Sequence, residues 1–336
     1  MLTVTLYMRQ DCHLCEQARA DLESLQEQIP HRLVEVDIDS DPVLQRTYLV
    51  EIPVVEVGPY RLKAPFDRQK LSMTLGAAND RRGQLEEIGD EAYKARVKRG
   101  QKISGADRAM SWISNHYLLI LNLVMFIYVG LPFLAPILME TGATVPARVL
   151  YTIYSPLCHQ FGFRSFFLFG EQPFYPLKEA GVNVIDFETA TGITGLHNPN
   201  DISRLQARRF IGNETVGYKV AICERDVAIY ASILFFGLLF GLTGRRLPQL
   251  HWSIWILLGL GPIGLDGFSQ LFAQFEWPFL ATLLPYREST PFLRVLTGSL
   301  FGFMTAWFAY PNIEETMQET RQFFIKKFAQ VKAAAD

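Results

Sequence analysis

Cys12 and Cys15 are separated by His13 and Leu14. A Cys-x-x-Cys spacing at the start of a helix puts two thiols one turn apart, close enough to close an internal disulfide. Its chemistry is thiol–disulfide exchange. The first sulfur then lies at the helix N-terminus, where unpaired backbone N–H groups and the helix dipole favour a thiolate over a thiol. Cys12 is therefore read as the attacking thiol and Cys15 as the resolving one. A histidine between them can stabilise a neighbouring thiolate and make the couple more oxidising. Zinc binding is the competing use of such a pair. It normally takes four ligands, and no second Cys-x-x-Cys or close histidine pair accompanies this one.

The flanking residues supply the elements that must position the dithiol. Leu2 to Tyr7 alternates as a strand, and Glu16 to Gln28 reads as a helix. A strand over Arg32 to Asp37 and a short helix around Asp41 to Leu49 follow. Glu51 to Val57 predicts a strand, Tyr60 to Lys63 its partner, and Asp67 to Ala77 a last helix. The order β-α-β-α-β-β-α predicts an α/β thioredoxin-like domain over residues 1–78. Pro53 stands where that fold carries a cis-proline, facing the dithiol and offering backbone groups to an incoming disulfide. On Cys-His-Leu-Cys, Ile-Pro-Val-Val and this element order, the segment resembles the glutaredoxin-like branch of the thioredoxin superfamily. The resemblance implies an oxidoreductase acting on protein or small-molecule thiols and disulfides. Glutaredoxins usually carry Cys-Pro-Tyr-Cys, so His13 and Leu14 depart from the pattern that goes with glutathione.

The chain has 336 residues, 49% of them hydrophobic, and a formal charge of −2. Its mean hydropathy is only +0.11. That combination predicts a soluble part averaged with a membrane part, and the charge argues against a nucleic-acid partner. Met1 to Gln10 lacks the charged and apolar regions of a secretory signal. Apolar runs over about 117–139, 227–244, 252–272 and 293–310 predict an all-α polytopic membrane domain of about four transmembrane helices within residues 112–310. Tyr151 to Gly170 is apolar too, but Pro156, His159 and Arg164 interrupt it. It reads as an interfacial or re-entrant segment, with a fifth span as the alternative. Residues 79–111 form a charged connector and 311–336 a tail. Lys94, Arg96, Lys98, Arg99, Lys102 and Arg108 precede the first run, Arg245 and Arg246 follow the second, and Arg321, Lys326 and Lys327 follow the last. The excess of positive charge predicts both termini in the cytoplasm of a plasma-membrane protein, with segment 140–225 outside.

A second group of reactive residues collects at the outer face in this topology. Cys158, His159 and Gln160 lie on the interrupted segment, with Arg164 beyond. Cys223, Asp226 and Tyr230 share one helix face at the start of the second run. Asp266 and Gln270 are one turn apart near the end of the third, and Arg294 begins the fourth. Charges at membrane depth pair or line cavities, and Asp266–Arg294 is the expected pair. Gly298 and Gly302 have the spacing that lets helices approach closely. Cys-His-Gln, Arg-Ser-Phe (Arg164 to Phe166), Cys-x-Arg-Asp with Ile-Tyr (Cys223 to Tyr230), Asp-Gly-x-x-Gln (Asp266 to Gln270) and Leu-Arg-x-x-Thr-Gly (Leu293 to Gly298) together resemble an uncharacterised family of predicted bacterial and archaeal membrane proteins. Members of that family often carry Cys-x-x-Cys where this chain has Cys223 to Asp226, and the family brings no activity with it.

Three functions compete. The first is a membrane thiol–disulfide oxidoreductase with a cytosolic pair, Cys12 and Cys15, and a second pair, Cys158 and Cys223. On the predicted topology a bilayer separates the pairs, so electron transfer between them would need a quinone, a metal or a large movement. The second is a metal site, suited to Zn²⁺, built from Cys158, His159, Cys223 and Asp226. The third is a transporter-like polar site around Arg164, Asp266, Gln270 and Arg294, for which no inverted repeat speaks.

Overall fold

The structure is a computed structural model that describes residues 1–89, 91–196, 202–274 and 287–335. They fall into two compact units, Met1–His116 with Glu315–Asp336, and Tyr117–Glu314.

The first unit is built on a four-stranded sheet. β1 (Leu2–Met8) runs parallel to β2 (His31–Asp37) and antiparallel to β3 (Val54–Val57), which pairs with β4 (Tyr60–Lys63), giving the order β2-β1-β3-β4. Alternation along the strands divides the core between two faces. Leu2, Val4, Leu6, Val55 and Val57 pack under α1 (His13–Leu25) and α3 (Arg68–Ile88). Tyr7, Val34, Val36 and Val54 meet Leu44 and Tyr48 of α2 (Pro42–Tyr48) on the other face. Asp41 caps α2 by accepting from the amides of Val43 and Leu44, with Pro42 in the first turn. α3 continues past Ala77 to Ile88 and ends at Gly89 in the left-handed conformation. Its buried face stops at Ala78, but the helix carries on through Gly83 and ends only where Gly89 turns left-handed, so the helix outruns its core. The expected connector is accordingly mostly helical, containing α4 (Glu91–Gly100) and the first turns of α5 (Gly105–Glu140).

The last stretch of the chain is not a loose tail. It belongs to a helix, Pro291–Ala335, whose Ile325, Ala329 and Ala333 recur every four residues and complete the α2 side of the sheet. Beside that stripe, Lys326 Nζ lies 2.5 Å from Glu56 Oε2, and Gln330 Nε2 donates to Thr5 Oγ1 at 3.0 Å.

Among the described residues, four helices are long and apolar enough to cross a membrane: Gly105–Glu140, Glu224–Leu242, Trp252–Ala273 and Pro291–Ala334. Between the first two lies a segment with α6 (Thr144–Tyr154), α7 (Phe187–Thr191) and α8 (Ile202–Arg209). With α9 (Glu224–Leu242), α10 (Trp252–Ala273) and α11 (Pro291–Ala335), these complete the described helices apart from three short 3-10 turns at Ile38–Ser40, Gly162–Arg164 and Lys178–Ala180. α6 has 11 residues, about 16 Å at the α-helical rise, which is too short for a span. The chain beyond it turns at Pro156 and enters a strand, so the fifth-span alternative for 151–170 is corrected. The structure adds a small antiparallel sheet that the sequence reading lacks, β5 (Ser165–Leu168), β7 (Gly217–Cys223) and β6 (Gly212–Asn213) in the order β5-β7-β6. Gly217, at φ 75°, admits the close approach of β5: a Cβ there would meet the Leu168 carbonyl oxygen at 2.2 Å. Gly298 and Gly302 bring α11 against the backbone of α9, since a Cβ on Gly302 would lie 2.2 Å from the Ile229 carbonyl oxygen.

Candidate functional sites

In the first unit, β1 leads through the left-handed Asp11 into Cys12, the N-cap residue of α1. The Cys15 amide donates to Cys12 Sγ at 3.2 Å, and the two cysteines are joined as a disulfide with Cα atoms 5.2 Å apart. Cys12 is half-buried and Cys15 fully buried, while His13 and Leu14 between them are exposed. The Ile52–Pro53 bond is cis. Val54, directly after it, pairs with Tyr7 near the end of β1, so the sheet register puts the proline and the dithiol at the same end of adjacent strands. Behind them, Tyr7 and Tyr48 stack at 4.6 Å, and the Tyr7 hydroxyl donates to Glu56 at 3.4 Å. Burial pulls the Glu56 carboxyl up, but Lys326 and Arg61 outweigh it and hold the group below its ordinary range.

In the second unit, β7 ends at Cys223, which is the N-cap of α9, and Asp226 lies in that helix's first turn. Cys158 follows α6. Its sulfur accepts from the Cys223 amide at 3.3 Å, and both thiols are free. One ligand atom each from Cys158, Cys223 and Asp226 lie within 4.8 Å of one another. The cysteines are 65 positions apart, and Gln160 shows how they meet. Its side-chain amide donates to the Tyr151 carbonyl at 2.9 Å and to the Ala221 carbonyl at 2.8 Å, tying the Cys158 loop to α6 and to β7. Buried Lys219 secures the same loop, donating to the carbonyls of Gln160 and Arg208 at 2.7 and 2.6 Å. Burial brings Lys219 down to about 7, with Cys158 opposing that fall and Arg208 adding to it. A hydrogen bond with Cys158 and burial push the Cys223 thiol well up, and the nearby Cys158 and Asp226 add to the rise. His159 does not join the group. It is exposed and stacks on Phe161 at 5.7 Å, because its neighbour Cys158 already turns inward.

The expected Asp266–Arg294 pair is also corrected. Arg294 instead bridges Glu224 and Glu288, and Arg164 grips Glu288 with two bonds of 2.7 and 2.9 Å. The result is an alternating row, Arg164–Glu288–Arg294–Glu224, whose last three members are almost wholly buried. Burial raises the Glu288 carboxyl, but Arg164 and Arg294 overcome it and hold the group low. Asp266 is held by Arg225, Arg287 and the Ser289 hydroxyl, with Gln270 Nε2 at 3.2 Å from the same carboxylate. Each charge thus has a partner, but the partners are Glu224, Arg225, Arg287 and Glu288, which the sequence reading did not single out. Two of them stood inside the quoted Cys-x-Arg-Asp motif. Arg287 and Glu288 were visible as adjacent opposite charges before the last span, with Ser289 beside them.

Residues 3–76 match the family described as glutaredoxin-like domain (DUF836). The N-terminal domain is glutaredoxin-like. Residues 204–308, on the far side of the charged connector from the glutaredoxin-like domain, match the family described as predicted membrane protein (DUF2085). That match includes Cys223, Asp226, Asp266, Glu288 and Arg294 and begins after Cys158. An uncharacterized protein of Methanocaldococcus jannaschii is 23% identical over 208 residues, covering 59% of this chain and 93% of that protein. A structural genomics target protein from X. campestris, solved by X-ray, is 38% identical over 22% of this chain and 96% of its own, with a TM-score of 0.19. The chain therefore fuses a glutaredoxin-like domain to a predicted membrane domain, and its described residues include four helices apolar enough to cross a membrane.

Proposed function

We propose that the protein is a membrane-anchored thiol–disulfide oxidoreductase working through Cys12 and Cys15. The observation that carries this reading is the asymmetry of the pair: Cys12 is reachable at a helix N-terminus and accepts an amide hydrogen bond, while Cys15 is sealed in the core. In the reduced protein the Cys12 thiolate attacks a substrate disulfide, forming a mixed disulfide and expelling one substrate thiolate. Cys15 then attacks the Cys12 sulfur as a thiolate, releasing the second substrate thiolate and leaving the internal disulfide. Two electrons pass from the dithiol to the substrate. A second thiol or dithiol of lower potential restores the reduced state. Pro53 borders the site and presents the start of β3 to the substrate chain, which protein or small-molecule disulfides can both satisfy.

The positive flanks favour both termini in the cytoplasm, with segment 140–225 on the outer side of the plasma membrane. The dithiol then serves cytosolic partners at the inner face of the bilayer. Trapping tests the reading. Cys15→Ser should accumulate a covalent adduct through Cys12 in intact cells, and the adduct should dissolve on reduction. Equal trapping by Cys12→Ser would end the assignment of roles. An epitope inserted at Asn183, in an exposed loop, should be reachable from outside; if only permeabilised cells are labelled, the orientation is reversed.

A further inference from the structure

We propose that Cys158, Cys223 and Asp226 form a binding site for a thiophilic divalent cation of the zinc class. The two sulfurs and the carboxylate converge within 4.8 Å of one another. Ligand atoms around a tetrahedral zinc with Zn–S bonds of about 2.3 Å stand roughly 3.5–4 Å apart, so small side-chain adjustments close the shell. Two thiolates and one carboxylate form a donor set that selects zinc over the hard cations magnesium and calcium.

Two further observations point to a ligand. The first is electrostatic. Glu224, Asp266 and Glu288 are each neutralised by arginine. Among the described residues, no lysine, arginine or histidine forms an ion pair with Asp226, although it lies in the first turn of an apolar helix. A divalent cation supplies the charge that the arginines provide elsewhere. The second is the outer support. The Cys223 amide points at Cys158 Sγ, the kind of bond that orients and stabilises a metal-bound thiolate, and Gln160 fixes the loop that carries it. Cys223 and Asp226 are three positions apart at a helix start, so one rigid turn presents two of the three ligands. A cleft of about 170 Å³ lined by Ser155, Pro156, Leu157, Cys158, His159 and Arg208 reaches the third, giving an entry path and a position for an exchangeable fourth ligand such as water.

The experiment uses the full-length protein, purified in detergent from zinc-replete cells. Metal content is measured by mass spectrometry, and Co²⁺ is titrated into reduced, metal-stripped protein. The wild type and the Cys12→Ser, Cys15→Ser double variant should each hold about one zinc per chain and give a thiolate-to-cobalt charge-transfer band. Cys158→Ser and Cys223→Ser should lose both, and Asp226→Asn should bind about 10–100-fold more weakly. Protection in the wild type needs no variant to fold: Zn²⁺ should slow alkylation of Cys158 and Cys223, read on their peptides, and leave reduced Cys12 unprotected. No metal in the wild type, no charge-transfer band, unchanged alkylation, or a Cys158–Cys223 disulfide that forms regardless of zinc would each overturn the site. None of these outcomes bears on the Cys12 trapping experiment, so the two readings fail separately.

Discussion

The protein contains two cysteine pairs, and they are assembled in opposite ways. Cys12 and Cys15 are brought together by one turn of helix, and any chain that starts a helix there would hold them so. Cys158 and Cys223 are brought together by a strand, a loop glutamine and a buried lysine, across 65 positions. The first pair is open on one side and flanked by exposed His13 and Leu14. The second faces a carboxylate within a scaffold of buried ion pairs. A local pair can afford to be touched by a substrate, whereas a pair made by tertiary structure is only as good as the scaffold behind it.

The sharpest way to break this comparison is to exchange the roles of the pairs. Cys12→Ser should lower disulfide reduction by roughly 10³-fold or more, while Cys223→Ser leaves the rate within about twofold. A large loss from Cys223→Ser would mean that the pairs act in series. Next in size is the scaffold. Glu288→Ala strips Arg164 and Arg294 of their shared carboxylate and should cost about 3–5 kcal/mol. Thermal unfolding in micelles would report the loss, with faster alkylation of Cys223 and unchanged alkylation of reduced Cys12. A milder insult at the same helix pair is Gly302→Val, which forces α11 off the Ile229 carbonyl and should cost about 1–3 kcal/mol. If it leaves both the melting temperature and Cys223 reactivity untouched, the backbone contact of α9 and α11 does not support the pair.

The smallest expected effect is a dependence on pH. Lys219 is brought down to about 7 from an ordinary 10.5. Between those values the unfolded chain holds a proton that the folded one has released, so stability rises as pH rises. The gain should be about 1 kcal/mol between pH 7 and pH 8. Lys219→Met should flatten that difference, and a variant curve parallel to the wild type would show that the ammonium is not buried as described.

These two assemblies also explain what could be read in advance. The glutaredoxin-like domain followed from local signals: alternation in β1, the dithiol at a helix start, and Pro53 before a strand. The four apolar helices followed from run length. The ion pairs did not, because Asp266 and Arg294 are each within reach of several opposite charges, and only packing chooses among them. Arg294 is taken by Glu224 and Glu288, which left Asp266 to Arg225 and Arg287. The small sheet was hidden because β5 has four residues and β6 two, shorter than any pattern that alternation can establish. The final helix was missed on its far half because Ile325, Ala329 and Ala333 make a narrow stripe that has meaning only against the sheet it covers.

β7 ends at Cys223 and α9 starts at Glu224, with nothing between them. A hinge of even one residue would let strand and helix drift independently; without it they move as a crank and shaft. Inserting a single amino acid after Cys223 would advance every later side chain by about 100° around the axis and 1.5 Å along it. Asp226 would swing away from the sulfurs, and Ile229 would leave the groove that Gly302 keeps open. The loops of segment 140–225 can lengthen or shorten without that penalty. In related chains, gaps in alignment should therefore gather in those loops and avoid this junction, so the spacing from Cys223 to Ile229 becomes a ruler that tells true relatives from chains that merely share apolar helices.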